Sequence, residues 1–215
     1  MVKDGWKFAV PPFLIGLGIL FLASFWGAGR IALIVLGTIL VVLGLFVLYF
    51  FRDPDREIPS DPGAVVSPAD GHVVEIVDEA NDGRAGQRIS IFLSVFDVHV
   101  NRTPVAGRIA KVDYQPGKFY AAYRKDASQK NERNVITVDT GHGEIVFKQI
   151  AGAIARRVIC WRKPGQTVAR GERIGMIRFG SRMDVWLPAG SEILVRRGEK
   201  VAGGSSILAK WNSAA

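Results

Sequence analysis

The sequence predicts a mainly β protein that follows an N-terminal transmembrane helical hairpin. Two uncharged apolar runs, 8–29 and 31–51, occupy the start of the chain. After them, short β-branched segments alternate with glycine and proline turns, a pattern typical of strands joined by tight connections. Two stretches near the C-terminus also share one spacing of glycines, which favours paired hairpin units. The expected fold of this second part is a flattened barrel or sandwich.

Residues 1–51 form the predicted membrane anchor. Each apolar run is long enough to cross a bilayer as a helix, and only Arg30 separates the two. Basic residues flank the outer ends of the runs, which places both termini and the rest of the chain on the cytoplasmic side of the cell membrane; they are Lys3, Lys7, Arg52 and Arg56. The alternative is a secretory signal, but its cleavage would leave the second apolar run still spanning.

The charge balance points to a lipid surface as the partner. The chain has 28 basic and 20 acidic residues, a net charge of +8. Residues 1–51 hold three basic residues and one acidic residue, so 25 basic and 19 acidic residues remain, or +6. An anionic membrane attracts such a domain, and no nucleic-acid motif is present. The single cysteine, Cys160, cannot form an internal disulfide and is expected as a small buried hydrophobe.

A linker rich in proline and charge, residues 52–63, is expected between the anchor and a β-rich domain over 64–215. The strand-like segments of this domain are 72–77, 88–95, 107–114, 134–140, 144–151, 156–161, 172–179 and 191–197. The repeated glycine spacing lies in 163–177 and 193–208, and it resembles the hairpin units of biotinyl and lipoyl carrier domains. Residues 116–134 are too polar for a strand and are expected to form a long functional loop.

Two turn motifs contain groups that can do chemistry. At Gly180-Ser181, a residue without a Cβ precedes a hydroxyl, so the serine could attack the peptide bond before it. Taken alone, such a pair is more often an ordinary turn. Ser67-Pro68-Ala69-Asp70-Gly71 is likewise a turn by its residue types, although Asp70 could act as a base there.

A third motif is a histidine at the end of a strand. His99 lies next to polar residues in the sequence, namely Asp97, Asn101 and Arg102. A lone histidine on an apolar strand is usually a satisfied core residue. Histidine can nevertheless hold or give a proton near neutral pH, so this one is a candidate for proton transfer.

Taken in order, these motifs resemble those of the phosphatidylserine decarboxylase family, in particular its shorter form. The resemblance covers nearly the whole chain. It rests on the ordered set Phe51-Arg52-Asp53-Pro54, Ser67 to Gly71, Asp97-Val98-His99, Asn131-Glu132-Arg133-Asn134 and Gly180-Ser181.

The resemblance implies an enzyme that cuts itself between Gly180 and Ser181. Ser181 would be the nucleophile and the precursor of a covalent pyruvoyl cofactor, Asp70 the base that activates it, and His99 a proton-transfer residue. No metal is implied. The reaction would convert phosphatidylserine to phosphatidylethanolamine and CO2 at the membrane surface. The products of cleavage would be a β chain, 1–180, and an α chain, 181–215, paired as a heterodimer with higher assembly left open.

The chain departs from the longer form of the family at three positions. Phe179 and Arg182 flank the Gly-Ser pair, where the longer form has leucine and threonine, and Arg102 replaces a second histidine. A role that needs a second neutral imidazole is therefore unassigned. The loop supplies a further hypothesis, that its interleaved aromatic and basic residues meet the membrane interface rather than stay in solvent; they are Lys118, Phe119, Tyr120, Tyr123, Arg124 and Lys125.

Two other classes of protein were weighed. A membrane-tethered lipoyl-like adaptor or carrier would need a lysine at its hairpin tip, and the corresponding stretch, 181–184, has none. A metallopeptidase would use His72, His99 and His142 with Asp70. The spacing of these histidines matches no metal-binding motif such as HExxH, so this class ranks last.

Overall fold

The computed structural model describes residues 2–124, 126–141, 143–153, 157–178 and 180–211, without the side chains of Lys3 and Asp4. Two compact units make up the chain, Met1–Pro54 and Asp55–Ala215. The first is helical and the second consists mainly of antiparallel strands, so the predicted mainly β class is confirmed.

The first unit is a pair of helices, α1 (Lys3–Ala23) and α2 (Arg30–Phe50). Both are long and apolar enough to cross a membrane. The bounds differ from the two apolar runs: the chain leaves the first helix at residue 24 and turns through Gly29, whose φ is +85°. Arg30 is therefore the first residue of α2, not the tip of the hairpin.

Glycines let α1 and α2 approach each other closely. A Cβ at Gly16 would lie 2.8 Å from the Gly37 carbonyl oxygen, and one at Gly44 would lie 2.7 Å from the Phe13 Cβ. Gly37 and Gly44 are seven residues apart and so lie on one face of α2. Small residues at such positions are typical of helix pairs in membranes, where close van der Waals packing holds the helices together.

The second unit contains fourteen strands and one short helix in its described part. The strands are β1 (Ala64–Val66), β2 (Gly71–Asp78), β3 (Gly86–Leu93), β4 (Val100–Arg102), β5 (Gly107–Gln115), β6 (Arg133–Asp139), β7 (Glu144–Ala151), β8 (Val158–Cys160), β9 (Thr167–Val168), β10 (Arg173–Ile177), β11 (Ser181–Pro188), β12 (Glu192–Ile193), β13 (Lys200–Val201) and β14 (Ile207–Lys210), and the helix is α3 (Ala127–Lys130). Every predicted strand overlaps one of these.

These strands form three antiparallel sheets. The large sheet has the order β13-β2-β3-β11-β7-β6-β5-β9, and the small sheets have the orders β4-β10-β8 and β1-β14-β12. A single buried cluster of apolar side chains draws on all three, for example Ile91 and Met183 from the large sheet, Ile174 from the second and Leu208 from the third. The core therefore lies where the three sheets face one another.

The repeated glycine spacing corresponds to a repeated structure. Gly165 and Gly198 have φ values of +89° and +88°, and Gly171 and Gly204 have φ values of +72° and +81°. Each segment contains a two-residue strand followed by a longer one, β9 and β10 in the first and β13 and β14 in the second. A conformation that favours glycine thus recurs at equivalent turns of the two segments. The prediction of hairpin units is wrong, however, because β9 and β10 do not pair with each other and neither do β13 and β14: in each segment the short strand joins the large sheet and the longer one a small sheet.

The stretch 116–134 is more ordered than the predicted long loop. It contains α3 and the first residues of β6, and its two ends are joined by backbone hydrogen bonds, Lys118 N–H to the Lys130 carbonyl at 2.8 Å and Glu132 N–H to the Lys118 carbonyl at 3.0 Å. Asn131 closes the same loop through its side chain, which donates to the Tyr120 carbonyl at 2.8 Å. A polar side chain of the kind that argued against regular structure, that of Asn131, thus provides a hydrogen bond that a backbone carbonyl of the loop needs.

Candidate active site

Ser181 is the first residue of β11, a central strand of the large sheet. It pairs with Leu93 of β3 on one side and with Ala151 of β7 on the other. Residues 181–184 therefore lie within a strand, whereas Gly180 belongs to the connection between β10 and β11 and has φ +66°, as a turn glycine can. The serine is wholly buried.

The hydroxyl of Ser181 has no hydrogen-bond partner among the described residues. Leaving such a group buried and unpaired costs on the order of 1–3 kcal/mol. Its side chain shares a face of β11 with Met183 and Val185, both members of the apolar core, because alternate residues of a strand point the same way. A polar group kept there without a partner is a sign of function rather than of stability.

His99 contacts the backbone next to this serine. Its Nδ1 lies 2.9 Å from the Asp97 carbonyl oxygen, so Nδ1 carries the hydrogen and donates it. Its Nε2 then carries the lone pair of the ring and accepts the Gly180 N–H at 3.3 Å. The side chain of Asp97 fixes the preceding turn by accepting from the Ser94 N–H and hydroxyl at 2.8 and 2.7 Å. The wholly buried imidazole is thereby held against the Gly180-Ser181 segment in one tautomer.

Gly152 makes room for the carbonyl group that Ser181 would attack. A Cβ at Gly152 would lie 2.1 Å from the Gly180 carbonyl oxygen. Gly180 itself has φ +66°, a left-handed conformation that glycine adopts without penalty. Sequence reasoning missed Gly152, since a glycine after a strand gives no sign of what packs on it.

Asp70 is not brought to Ser181 in this structure. One guanidinium nitrogen of Arg56 donates to both oxygens of its carboxylate at 2.8 Å, and the Gly203 N–H donates to one of them at 2.8 Å. Asp70 precedes β2, and β3 lies between β2 and β11. Two strand spacings, roughly 10 Å, therefore separate it from the serine. The base role predicted for Asp70 remains a prediction.

Three buried amides line the site between the large sheet and β4. Gln149 on β7 donates from Nε2 to the Asn101 Oδ1 at 2.9 Å and to the Ile159 carbonyl at 3.2 Å, and its Oε1 accepts from the Asn134 Nδ2 at 3.0 Å. Asn101 lies on β4, two residues after His99, which immediately precedes that strand and continues its pairing by accepting from the Ile177 N–H through its carbonyl at 3.3 Å, so both side chains point to the large sheet. Asn101 and Asn134 stood out in the sequence, the first beside His99 and the second in the 131–134 motif, but Gln149 and the chain of amides were missed.

The motif Asn131-Glu132-Arg133-Asn134 supports the site from behind β7. The Asn131 amide donates to the carbonyl of Ala151, the strand partner of Ser181, at 2.7 Å. Glu132 accepts from the Val158 N–H at 3.3 Å, and Asn134 belongs to the amide chain. The motif thus joins the loop, β7 and β8 around the serine.

The opposite face of β11 carries charges. Arg182 is almost wholly buried and donates to Asp184 at 2.6 Å and to the Ser90 hydroxyl at 2.8 Å. Glu75 accepts from Arg182 at 3.2 Å and from Arg88 at 2.8 Å. Burial, the largest single influence, would raise the pKa of Glu75, but the hydrogen bonds and positive charges of Arg88 and Arg182 together hold that pKa below its usual value. Arg182 therefore fixes the strand without facing Ser181.

Arg102, which replaces a second histidine, is also a structural residue here. Its guanidinium donates to the Gly171 carbonyl at 3.0 Å, at one of the repeated glycine turns. Neighbouring residues of a strand point to opposite faces, so Arg102 does not share the face of Asn101 and His99. The unassigned second proton donor is not supplied at this position.

Among the described loop residues that were predicted to meet a membrane, only Tyr120 is half-buried; the others are exposed, namely Lys118, Phe119, Tyr123 and Arg124. Tyr123 is 72% and Phe119 38% exposed, whereas Lys118 and Arg124 lie over the Tyr120 ring at 5.5 and 4.9 Å. Tyr123 also packs edge-on against Phe92, which neighbours the strand partner of Ser181.

Three predicted positions lie outside the described residues, namely Lys125, His142 and Phe179. Among the described residues no cluster of three or more His, Cys, Asp or Glu could hold a metal ion.

The fold and this site can be compared with those of known proteins. The sequence profile of the phosphatidylserine decarboxylase family matches residues 43–209. A phosphatidylserine decarboxylase proenzyme of Solibacter usitatus is 56% identical over 171 residues, which cover 80% of this chain and 81% of the relative. Proenzymes of the same name from Symbiobacterium thermophilum and Cupriavidus pinatubonensis are 43% and 45% identical, each over 98% of this chain and over 95% and 94% of the relative.

These matches, together with the mainly β fold, identify the chain as a decarboxylase of phospholipid metabolism, a lyase that is made as a zymogen. The chain belongs to the phosphatidylserine decarboxylase family. Its two apolar N-terminal helices are compatible with membrane association.

Proposed function

We propose that this chain cuts itself between Gly180 and Ser181 and then decarboxylates phosphatidylserine at a membrane surface, using a pyruvoyl group derived from Ser181. One observation carries the proposal. The Ser181 hydroxyl is buried, has no hydrogen-bond partner among the described residues, and follows a glycine whose N–H is held by His99. Nothing that stabilises the fold accounts for a serine in that position.

Self-cleavage uses groups of the chain and one water molecule. The Ser181 oxygen attacks the Gly180 carbonyl carbon and gives up its proton, and the peptide C–N bond breaks, leaving an ester and a protonated nitrogen. Removal of the Ser181 α-hydrogen then breaks the Cβ–O bond and releases the Gly180 carboxylate. Water finally replaces the nitrogen by oxygen and ammonia leaves.

Asp70 is the proposed base for the first of these steps, by its resemblance to the family motif. For Asp70 to act on Ser181, its carboxylate must give up its hydrogen bonds from Arg56 and accept one from the Ser181 hydroxyl instead. Gly152 keeps the space around the Gly180 oxygen open during the attack.

The residues around Ser181 fit a pyruvoyl group. Conversion turns the Ser181 side chain into a methyl group, and because the hydroxyl has no partner among the described residues, no hydrogen bond is lost with it. The apolar neighbours on the same face, Met183 and Leu93, suit a methyl. When present, the group withdraws electrons from the bond that releases CO2.

His99 is the proposed proton donor to the substrate carbon from which CO2 has left. Its Nδ1–H is held by the Asp97 carbonyl, so Nε2 is the nitrogen that faces the reacting atoms and exchanges the proton. Cleavage turns Gly180 into a chain end. The Gly180 N–H, which Nε2 accepts in the uncut chain, can then move away from the histidine.

The membrane part of the proposal follows from α1 and α2. They are proposed to hold the β domain on the cytoplasmic face of the cell membrane, since basic residues flank their outer ends. The acyl chains of the substrate then stay in the bilayer and only its head group enters the site. The cleaved chains, 1–180 and 181–215, remain together as strands of one sheet, because β11 pairs with β3 and β7.

The test is decarboxylation by the purified full chain. Incubated with phosphatidylserine vesicles, it is expected to release CO2 and form phosphatidylethanolamine. A Ser181→Ala variant is the control, and it should be inactive yet as stable as the parent, because it removes a hydroxyl that contributes no described hydrogen bond. A variant that still decarboxylates would refute the proposal.

A further inference from the structure

The amide of Asn101 has a free donor that the proposed cleavage does not use. Asn101 is wholly buried, and its Nδ2 has no hydrogen-bond partner among the described residues. The Ser181 hydroxyl, in the same layer between the large sheet and β4, likewise has no hydrogen-bond partner among the described residues. Each unpaired buried donor costs on the order of 1–3 kcal/mol.

The neighbouring groups fix which end of the Asn101 amide is free. The Ile159 carbonyl can only accept, so the Gln149 atom that faces it at 3.2 Å must be the Nε2 donor. The same Nε2 lies 2.9 Å from Asn101, which must then present its Oδ1 oxygen. Asn134 completes the arrangement by donating to the Gln149 Oε1 at 3.0 Å. One backbone carbonyl thus orients the whole chain of amides and leaves the Asn101 Nδ2 as the unused donor.

This donor lies within reach of a group bound at Ser181. His99 accepts the Gly180 N–H, next to Ser181, at 3.3 Å, and Asn101 is two residues after His99 in extended chain, so its side chain points the same way. Two residues along a strand are about 6.6 Å. A carboxylate on the carbon next to a substrate amine that is attached at the Ser181 Cα would extend roughly 4 Å from that atom. The remaining gap is about one hydrogen bond.

Open space borders the amide chain. A groove of about 550 Å³ has Asn134, Ile159 and Cys160 in its wall. Its size is within the range of pockets that bind small ligands, on the order of 300–1,000 Å³. Neither Asn101 nor Ser181 lines this groove, so it opens the Asn134 end of the amide chain and is not itself the site at Ser181.

We infer that Asn101 binds the carboxylate of the substrate, the group that leaves as CO2, and so selects a serine over an ethanolamine head group; this rests on the proposed function. A neutral amide suits the task. A cation would hold the carboxylate most strongly before the reaction, when it still carries its charge, and would oppose its loss. An amide N–H orients the carboxylate with a weaker hold. Gln149 acts as a positioning residue through Asn101.

The test uses Asn101→Asp, which keeps the oxygen that accepts from Gln149, removes the donor and adds a negative charge. Calorimetry on the processed protein compares two unreactive ligands without an amine, the glycerophosphoryl esters of 3-hydroxypropionate and of propanol, which differ only by a carboxylate in place of a methyl. The parent should prefer the carboxylate ligand by roughly tenfold or more, the range of a hydrogen bond to a charged group. The variant should lose this preference and bind the propanol ester as the parent does.

Intact-mass measurements on the same samples monitor self-cleavage. Asn81→Asp, in the distant turn between β2 and β3, is the control, because it makes the same change of charge away from the site. Both variants should process like the parent. The neutral Asn101→Leu repeats the comparison without the added charge. Loss of affinity for both ligands alike, a retained preference, or failed processing in both Asn101 variants would overturn the inference. A parent that is not cleaved at Gly180-Ser181 would instead refute the proposed function.

Discussion

At the scale of single residues, the site contains buried polar groups that add little to the stability of the fold, and neighbouring residues fix their positions. Ser181 and Asn101 each leave a buried polar atom unpaired among the described residues. His99 is held through Nδ1 and contacts the backbone of the bond to be cut. Functional sites are where such local costs are expected, because the reactive groups must stay available.

Gly152 provides a test of the space around the Gly180 carbonyl. Gly152→Ala would place a Cβ 2.1 Å from that oxygen, so the carbonyl must move. We expect self-cleavage to slow by roughly 100-fold, the effect of a misplacement of about 1 Å. The measurement is the fraction of cleaved chain over time.

Gly86→Ala is the matched control for this variant. Its Cβ would lie 2.3 Å from the Leu187 carbonyl oxygen, a similar clash at the other end of the same sheet. It should lower stability by about 1–3 kcal/mol and leave the rate of cleavage unchanged. Equal rates of cleavage in the two variants would show that the effect at Gly152 is not local.

Two variants distinguish a role of Asp70 as the catalytic base from a purely structural role of its ion pair with Arg56. If Asp70 takes the serine proton, Asp70→Asn should stop cleavage, whereas Arg56→Ala, which frees the carboxylate, should preserve it. If the pair only holds the loop before β2 in place, both variants should slow cleavage to a similar degree. Gel analysis of freshly synthesised chain distinguishes these outcomes.

At the scale of elements, the helical hairpin depends on glycines at its interface. Gly16→Leu should separate α1 from α2, because its Cβ would lie 2.8 Å from backbone atoms of α2. Gly18→Leu is the control, since a Cβ there has no described atom within 4 Å. Thermal loss of the helical circular dichroism signal in detergent micelles should occur at a lower temperature for the first variant only. Equal midpoints would contradict the close packing.

The elements were predictable where periodicity was plain and less so where charges are buried. Segments such as 107–114 and 144–151 were recognisable as strands from their apolar alternation. β11 was missed although Ser181, Met183, Val185 and Leu187 alternate correctly, because Arg182 and Asp184 look like surface residues. They are buried as a pair 2.6 Å apart, and that pairing depends on neighbouring strands rather than on local sequence.

The site was predictable in its parts but not in its geometry. Ser181, Asp70 and His99 stood out by residue type and by family resemblance, and the structure joins only the first and third. Gln149 carried no signal in the sequence, since its role arises from Asn134 and Asn101 on distant strands. Such contacts between strands far apart in sequence cannot be read from a single segment.

At the scale of the whole molecule, the proposed function joins the two apolar helices and the site around Ser181 in the handling of one lipid substrate. The exposed aromatics Phe96, Phe119 and Tyr123 lie in segments close to the Ser181 end of the large sheet. Aromatic rings of this kind partition into the interface of a bilayer. The domain also carries a net positive charge, which favours approach to an anionic surface.

The double variant Phe119→Ser, Tyr123→Ser tests this membrane contact. We expect activity on phosphatidylserine vesicles to fall by about tenfold, as two buried aromatic contacts with the interface are lost, while activity on a short-chain soluble substrate is kept. Trp161→Ser is the control, because Trp161 is 38% exposed, like Phe119, but lies outside the loop. Unchanged activity on vesicles would assign the loop to solvent.

The central claim is the self-cleavage of the chain at Ser181, and intact mass spectrometry of active protein tests it most directly. The account predicts two chains, residues 1–180 and the remaining 35 residues (215 − 180), with a pyruvoyl group in place of the amine at the start of the shorter chain. Ser181→Ala should remain at full length. An active protein that is uncut, or a shorter chain that begins with an ordinary serine amine, would contradict the account.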